Sequence, residues 1–370
     1  MNLEFSDDQK FIQQNARQYM QEHAGLEVCR KVLETDASYD ASLWKGVAEM
    51  GWLGTVVPEK YGGTGLGHLE LVLIAQEVGR ALAPIPFSSS VYLVTEAILR
   101  FGTEEQKQRY LPRLCSGDLI GTFAIHEGVG EIEPGESKVE LAGGKLRGEK
   151  VPVLDGDVAG IAVVVAKDGN GTSLALVDLD GAGVKRTRLK SFDPSRSQAR
   201  LAFDGASAEV LGTAGKGVAQ AEQLLDVAAV MMGFEQIGGA ERALEITRQY
   251  TLGRYAFGRP IASFQVLKHK MADLYANNQI ALSNGYYAAW ALSTGNAELP
   301  LAACNVRVAA SEAFVKASQE MIQLHGGVGF TWEFDCHLFY RRAKLLGLAL
   351  GSAAAWREKL IRRLEAHEAA

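Results

Sequence analysis

Several features that would assign a protein class are missing from this 370-residue sequence. Its four cysteines stand far apart, with no C-x-x-C pair, so neither a disulfide framework nor a zinc or other metal site is predicted. No run of about 18 or more apolar residues is present, so a membrane is not an expected partner. The net charge is −6 and no basic stripe stands out, which argues against nucleic acid as a partner.

Nucleotide-binding and targeting signatures are missing as well. No G-x-G-x-x-G segment opens a βαβ unit and no G-x-x-x-x-G-K-[ST] loop occurs, so neither a Rossmann domain nor a P-loop is predicted. The first residues, MNLEFSDDQKFIQQ, are acidic and amphipathic and lack the apolar core of a signal peptide. We therefore expect a cytoplasmic protein with reduced thiols.

The spacing of apolar residues changes twice along the chain. It is helical at first, alternates with a period of two in the middle, and is helical again in four long segments with broad apolar faces. We predict an α+β fold with an N-terminal helical domain (1–118), a middle antiparallel β domain (119–208) and a C-terminal four-helix bundle (209–370). A bundle of this size also favours a dimer or tetramer.

Two local signals predict where elements begin and turn. Ser6 and Gln9 have the spacing of a capping box at the start of a helix. The apolar runs 161–166 and 173–178 flank the sequence KDGNGT, which favours the positive φ angles of a hairpin turn.

Arg254 stands just before a Phe-Gly pair, at a break between two apolar helical stretches. Since Arg254 and Phe257 are three residues apart, we expect them to share one face of a helix that ends at Gly258–Pro260. Ser263 is the expected cap of the next helix. A guanidinium beside an aromatic ring could bind a diphosphate and cover an adenine or a flavin. The alternative is that Arg254 interacts favourably with the helix dipole at the C-terminal end of the helix, while Phe257 packs in the core.

The segment QLHGGVGF, at 323–330, is a second candidate. Its glycines Gly326, Gly327 and Gly329 would let the backbone approach a ligand or a partner closely. The alternative is a helix C-cap followed by a tight turn.

Taken together, the chain resembles the acyl-CoA dehydrogenase family over nearly its whole length. The matching segments stand in family order: GWLGTVVPEKYGGTGLG, FGTEEQKQRYLPRLCSGDLIGTFAIHE, LRGEKVPVLDGDVAGIAVVVA, RYAFGRPIASFQVLKHKMADL and QLHGGVGFTWEFDCHLFYRRAK. The resemblance implies the family's fold, FAD as cofactor, an acyl-CoA substrate and an electron-transfer flavoprotein-like acceptor.

The resemblance also implies which residues bind FAD, partly across a subunit interface. In the family, three motifs bind the cofactor: the arginine and phenylalanine of R-x-x-F-G, the glutamine of the following F-Q pair, and the Q-x-x-G-G turn. The corresponding residues here are, in the same order, Arg254 and Phe257, then Gln265, then Gln323, Gly326 and Gly327. The TFAIHE strand would place backbone groups along the isoalloxazine ring, those of Phe123, Ile125 and His126.

The family's catalytic base has no counterpart in this sequence. Acyl-CoA dehydrogenation removes an α-proton from a thioester, which requires a carboxylate in a dry pocket. The two positions where the family carries that glutamate correspond to Leu350 and Ala228, and neither side chain can accept a proton. His126 also replaces a flavin-contacting threonine, and Pro152 and Leu154 replace residues that line the flavin ring.

Four other side chains are candidates to replace the base. Glu235 lies two helical turns after Ala228 on the same face, and the pKa range of His126 suits proton transfer. His269 and His325 are expected near the ADP portion of the cofactor, away from a thioester. We assign the base to none of them.

With these departures, the sequence resembles a bacterial branch of the family that handles bulky acyl-CoAs in lipid and steroid catabolism. Some members of that branch are heterotetramers in which one subunit lacks the base. The resemblance therefore implies an FAD-dependent acyl-CoA dehydrogenase that desaturates a thioester at its α,β bond, as a homo-oligomer or with a paralogous subunit. A non-catalytic structural subunit is an alternative, and a flavin oxygenase or nitroalkane-type oxidase is a third, which Leu350 disfavours.

Overall fold

The computed structural model describes residues 5–368, which form two compact units. The helical unit contains residues 5–31, the segment Val72–Ala83 and residues 229–368. The sheet unit contains Val32–Leu71 and Pro84–Ala228.

Eleven α-helices lie within the described residues. They are α1 (Asp7–His23), α2 (Leu26–Glu34), α3 (Ala41–Glu49), α4 (His68–Arg80), α5 (Glu96–Phe101), α6 (Glu104–Cys115), α7 (Gly217–Gly253), α8 (Gln265–Ser293), α9 (Leu299–His325), α10 (Cys336–Ala349) and α11 (Ala353–Glu368). None of these helices combines the length and the hydropathy that crossing a bilayer would require.

The strands are β1 (Gly121–Ala124), β2 (Glu140–Ala142), β3 (Lys145–Leu154), β4 (Ile161–Asp168), β5 (Gly171–Asp178), β6 (Val184–Arg188), β7 (Gln198–Leu211), β8 (Tyr255–Ala256) and β9 (Arg259–Pro260). The first seven form one sheet in the sheet unit, and its pairings β4–β2–β3–β7–β5–β4 return to their starting strand. Most pairs are antiparallel, as predicted, whereas β1 and β2 both run parallel to β4.

Two local predictions are confirmed. The Gln9 backbone N–H donates to Ser6 Oγ at 3.2 Å and the Ser6 N–H donates to Gln9 Oε1 at 2.9 Å, so α1 begins with a full capping box. Strands β4 and β5 form the expected hairpin, in which Ile161 pairs with Asp178.

In the helical unit, α8 packs along α9, and both α10 and α11 pack against α9. Helix α4 crosses α7 at two glycines. A Cβ atom on Gly79 would lie 1.8 Å from the Glu235 carbonyl oxygen, and one on Gly238 would lie 1.9 Å from that of Gln76. The two backbones therefore meet at a distance that only glycine permits.

The prediction for the break near Pro260 is wrong. Helix α7 ends at Gly253, and residues 255–260 form the two-stranded hairpin β8–β9. Phe257 and Gly258 have φ angles of 54° and 78°, the left-handed conformation that a two-residue hairpin turn requires. Arg254 and Phe257 therefore do not share a helical face.

Two helix boundaries also differ from the prediction. Phe264, not Ser263, stands at the N-cap position of α8, and no side chain caps that helix. The fourth predicted bundle helix is divided into α10 and α11, with Gly351 at a φ of 94° between them. The division falls at Leu350, one of the two residues predicted to stand where the family has its base.

Candidate functional site

A cavity of about 570 Å³ opens in the helical unit where three helix ends meet. The end of α7 contributes Tyr250 and Arg254, and the first turns of α8 contribute Val266, Leu267 and Lys270. The end of α9 and the turn after it contribute residues 323–328. We call this the arginine–glycine cavity. Its size is that of an ordinary small-molecule site.

Arg254 presents a permanent positive charge to this cavity. Its backbone is fixed, because its N–H donates to the Tyr250 carbonyl at 2.9 Å and its carbonyl accepts from the Ile261 N–H at 2.8 Å. Its side chain is exposed, and within residues 5–368 the guanidinium has no hydrogen bond or ion pair. All five N–H donors are therefore available to an anion.

Gly326 and Gly327 form the turn that closes α9 and also line the cavity. The Gly326 N–H donates to the Gln323 carbonyl, so the turn does cap the helix. A Cβ atom at either glycine would meet nothing within 4 Å, and Gly326 has a φ of 65°. The open space beside both residues lets a ligand reach the backbone.

An aromatic stack joins two of the helix ends. The rings of Tyr250 and His325 lie 4.1 Å apart at 22°, and the Tyr250 hydroxyl donates to the His325 carbonyl at 3.2 Å. His325 Nδ1 lies 2.6 Å from the Met321 carbonyl oxygen, so Nδ1 carries the proton. Burial lowers the pKa of His325, and this hydrogen bond only partly offsets it. His325 therefore contributes a neutral, planar imidazole to the cavity wall near pH 7.

These residues fit a nucleotide diphosphate. An unpaired guanidinium faces the cavity, glycines leave space for phosphate oxygens, and a planar stack borders it. The helical-unit portion of the predicted FAD site is therefore brought together, by Arg254, Gln323, Gly326 and Gly327.

Phe257 and Gln265 do not line the arginine–glycine cavity. Phe257 is 95% exposed at the tip of the hairpin, where its ring makes an edge contact with Phe264 at 6.2 Å. Gln265 is exposed at the first position of α8. In this single chain both side chains face solvent.

The other three predicted cofactor residues lie in the sheet unit. Phe123 is buried within β1, Ile125 is buried just after it, and His126 is half-buried. Ile125 and His126 line a second cavity, of about 340 Å³, whose wall continues along residues 127–133 and 136–138. Phe123 does not line it.

The backbone after β1 is held by its own chain. The fully buried Lys150 ammonium donates to the Ile125 carbonyl at 3.3 Å, to Glu127 Oε1 at 2.6 Å and to Ser137 Oγ at 3.1 Å. The Val151 N–H donates to the His126 carbonyl at 2.8 Å. Burial lowers the pKa of Lys150, and the hydrogen bond to Glu127 acts against that shift. This anchor was not foreseen from the sequence.

Neither of the two residues predicted at the positions of the family's base, Leu350 and Ala228, carries a group that can accept a proton. Leu350 is 4% exposed and its carbonyl accepts from the Trp356 indole N–H at 2.7 Å. Ala228 is fully buried in α7. The buried Arg307 guanidinium donates to the Leu346 carbonyl at 2.6 Å, close to Leu350 in the chain. Burial lowers the pKa of Arg307 to about 9.

Three of the four substitute side chains lie where they are unsuited to act as the base, and the fourth, His126, lines the second cavity. Glu235 is fully buried at the crossing of α4 and α7, closed to a substrate. His325 belongs to the wall of the arginine–glycine cavity, and His269 is exposed on α8. Among residues 5–368 no cluster of His, Cys, Asp and Glu could hold a metal ion.

Comparison with known proteins identifies the family to which this chain is similar. The model of the acyl-CoA dehydrogenase N-terminal domain matches residues 6–118, and that of the C-terminal domain matches residues 215–365. The acyl-CoA dehydrogenase IpdE2 of Mycobacterium tuberculosis is 33% identical over 360 residues, which cover 97% of this chain and 96% of that protein.

Two solved structures with the same fold are also similar in sequence. The Tcur3481-Tcur3483 steroid ACAD is 30% identical with a TM-score of 0.90, covering 98% of this chain and 99% of that one. A chain of the ChsE4-ChsE5 complex from Mycobacterium tuberculosis is 27% identical with a TM-score of 0.90, covering 99% of both chains.

Proposed function

The chain belongs to the acyl-CoA dehydrogenase family of FAD-dependent oxidoreductases, and from that premise we propose that it is the base-lacking subunit of a heteromeric acyl-CoA dehydrogenase. A paralogous subunit supplies the carboxylate base, and the assembly desaturates a bulky acyl-CoA, such as a steroid-derived thioester, at its α,β bond. Electrons leave through an electron-transfer flavoprotein-like acceptor.

One contrast carries this proposal. Both positions of the base are apolar and buried, at Leu350 and Ala228, whereas the arginine–glycine cavity is open and Arg254 has no partner of its own within residues 5–368. A chain that had lost all connection with the cofactor would have no physical reason to keep a solvated guanidinium beside an open glycine turn. Cofactor binding without proton abstraction is the function that suits both observations.

The cavity residues have distinct tasks in this proposal. The Arg254 guanidinium donates to the diphosphate, and Gly326 and Gly327 leave room for its oxygens. The neutral stack of Tyr250 and His325 borders the nucleotide. Bound FAD would supply the hydride acceptor for the substrate β-carbon, and the α-proton goes to a carboxylate of the paralogous subunit, because this chain offers none at the family positions.

Substrate and assembly are supported by the relatives. One similar structure is named a steroid ACAD, and another is a complex of two differently named chains. The exposed hairpin tip at Phe257 is consistent with a contact that only a second chain completes.

The test is expression of the chain alone and together with a paralogous chain of the same fold encoded nearby. We expect no bleaching of flavin absorbance by acyl-CoAs with the chain alone, and bleaching by a steroid-derived CoA thioester with the pair. Turnover by the chain alone would contradict the proposal. A pair that binds FAD but fails to respond to any thioester would favour a structural role.

A further inference from the structure

Lys270 lines the arginine–glycine cavity, although the sequence did not single it out. It lies on the same face of α8 as Val266 and Leu267, since residues three and four apart on a helix are neighbours. Its side chain is partly exposed. The cavity therefore contains a second cation besides Arg254.

Lys270 shares one carboxylate with another lysine. Its Nζ lies 2.6 Å from Glu320 Oε2, while Lys316 Nζ lies 2.9 Å from Glu320 Oε1. The Glu320 side chain is only 10% exposed, against 39% for Lys270 and 55% for Lys316. Burial alone would raise the pKa of Glu320, but hydrogen bonds from both lysines more than offset this and lower it.

The sharing matters because it frees one of the two lysines. Removing the only partner of a buried carboxylate leaves a costly unpaired charge. Glu320 has two partners, so Lys270 can turn away while Lys316 continues to compensate it. Lys316 does not line the cavity and cannot take the same role.

The charges on the cavity then match its proposed ligand. Arg254 supplies one positive charge, and the two lysines around Glu320 leave a second. A dinucleotide diphosphate carries about two negative charges, and both guanidinium and ammonium groups bind such oxygens well. On the basis of the proposed function, we propose that Lys270 is a second diphosphate-binding residue, which exchanges Glu320 for a phosphate oxygen of FAD.

The test measures binding of FAD and of ADP to the full chain, alone and with its paralogous partner, by titration calorimetry. Lys270→Met should lower the affinity for both ligands by about tenfold. The difference in affinity between the variant and the wild type should become smaller as the salt concentration is raised. Lys268→Met is the matched control, since it removes an equal charge from an exposed position of the same helix that does not line the cavity. It should change affinity by less than about twofold, and Lys270→Arg should restore most of the binding.

The outcomes separate this inference from the function beneath it. Unchanged affinity in Lys270→Met, with binding still lost in Arg254→Met, would overturn the role of Lys270 and leave the FAD site intact. Equal losses in the two lysine variants would show a general charge effect and also overturn it. Absence of FAD and ADP binding by the wild-type chain, both alone and in the pair, would remove the proposed function and this inference together.

Discussion

The Arg196 guanidinium and the Asp155 carboxylate form an ion pair at 2.6 Å in the interior of the sheet unit, where each is 1% exposed. Ser89 donates to the same carboxylate at 2.6 Å, and Ser88 accepts from the guanidinium at 2.9 Å. Both serines lie on the π-helical segment Ser88–Thr95. The pair thus ties a buried helical segment to the end of β3.

Asp155→Ala should destabilise the protein by about 3–5 kcal/mol, because it removes a buried carboxylate that compensates the buried Arg196 charge. Urea denaturation, followed by the fluorescence of the sheet unit, would measure this loss of stability. Glu149→Ala, which breaks an exposed pair with Arg200 at 3.0 Å, is the control and should cost less than about 1 kcal/mol. Equal losses of stability in the two variants would show that burial does not determine how much the Asp155–Arg196 pair contributes to the free energy of unfolding.

Arg254→Met should weaken FAD binding by the heteromer about tenfold or more, since a charged donor to the diphosphate is lost. The melting temperature of the chain without cofactor should stay unchanged, because the guanidinium has no partner within residues 5–368. Arg259→Met is a suitable control, as that guanidinium lies over the Phe264 ring at 4.2 Å outside the cavity. Retained FAD in Arg254→Met would refute the assignment.

Leu350→Glu should not make the chain an enzyme on its own, because the resemblance to the family predicts that His126 and Pro152 also replace residues that contact the flavin. The measurement is flavin bleaching by acyl-CoAs after reconstitution with FAD. The buried carboxylate should lower the melting temperature, whereas Leu348→Glu, at a residue 62% exposed, should not. Dehydrogenase activity in Leu350→Glu alone would contradict the heteromeric proposal.

Asn278→Leu should stabilise the protein by about 1–2 kcal/mol. Asn278 is 2% exposed on α8, and within residues 5–368 its amide oxygen and nitrogen have no hydrogen-bond partner. Replacing an unsatisfied buried amide by an apolar side chain of similar size removes that cost. Thermal or urea unfolding measures the change. Asn277→Leu, at the exposed neighbouring position, should stay within about 0.5 kcal/mol of wild type.

Glu127 should make the sheet unit sensitive to acid. Burial would raise the pKa of Glu127, but hydrogen bonds from Lys150, Ser137 and the Lys138 N–H lower it below its ordinary value of 4.5. Its contribution is complete above pH 4.5 and is lost as the pH falls through the lowered value. Unfolding monitored from pH 6 to pH 3 should show this loss, and Glu127→Gln should flatten it. An identical pH profile in the variant would count against the Lys150 anchor.

Local patterns predicted the fold well because their causes are local. The capping box at Ser6 and the hairpin between β4 and β5 depend on residues a few positions apart, so the sequence contains all that determines them. The α+β order follows in the same way from apolar periodicity, which reports which face of each element is buried.

The site was harder to predict because it depends on contacts between distant residues. The Phe257–Gly258 pair was interpreted through its helical spacing, although Phe-Gly at a break also suits a turn with positive φ. Lys150 and Arg307 appear ordinary in the sequence, and only burial beside their acceptors reveals them as anchors. Lys270 emerged from the cavity that its helix helps to line.

The crossing of α4 and α7 also has a bearing on how this protein tolerates genetic change. Gly79 and Gly238 each face a carbonyl oxygen at less than 2 Å from where a methyl carbon would stand. A single alanine there would act as a wedge that pushes apart the helices on which the bundle rests. Screens for inactive alleles should therefore recover these glycine codons, although neither residue lines either of the two cavities described above.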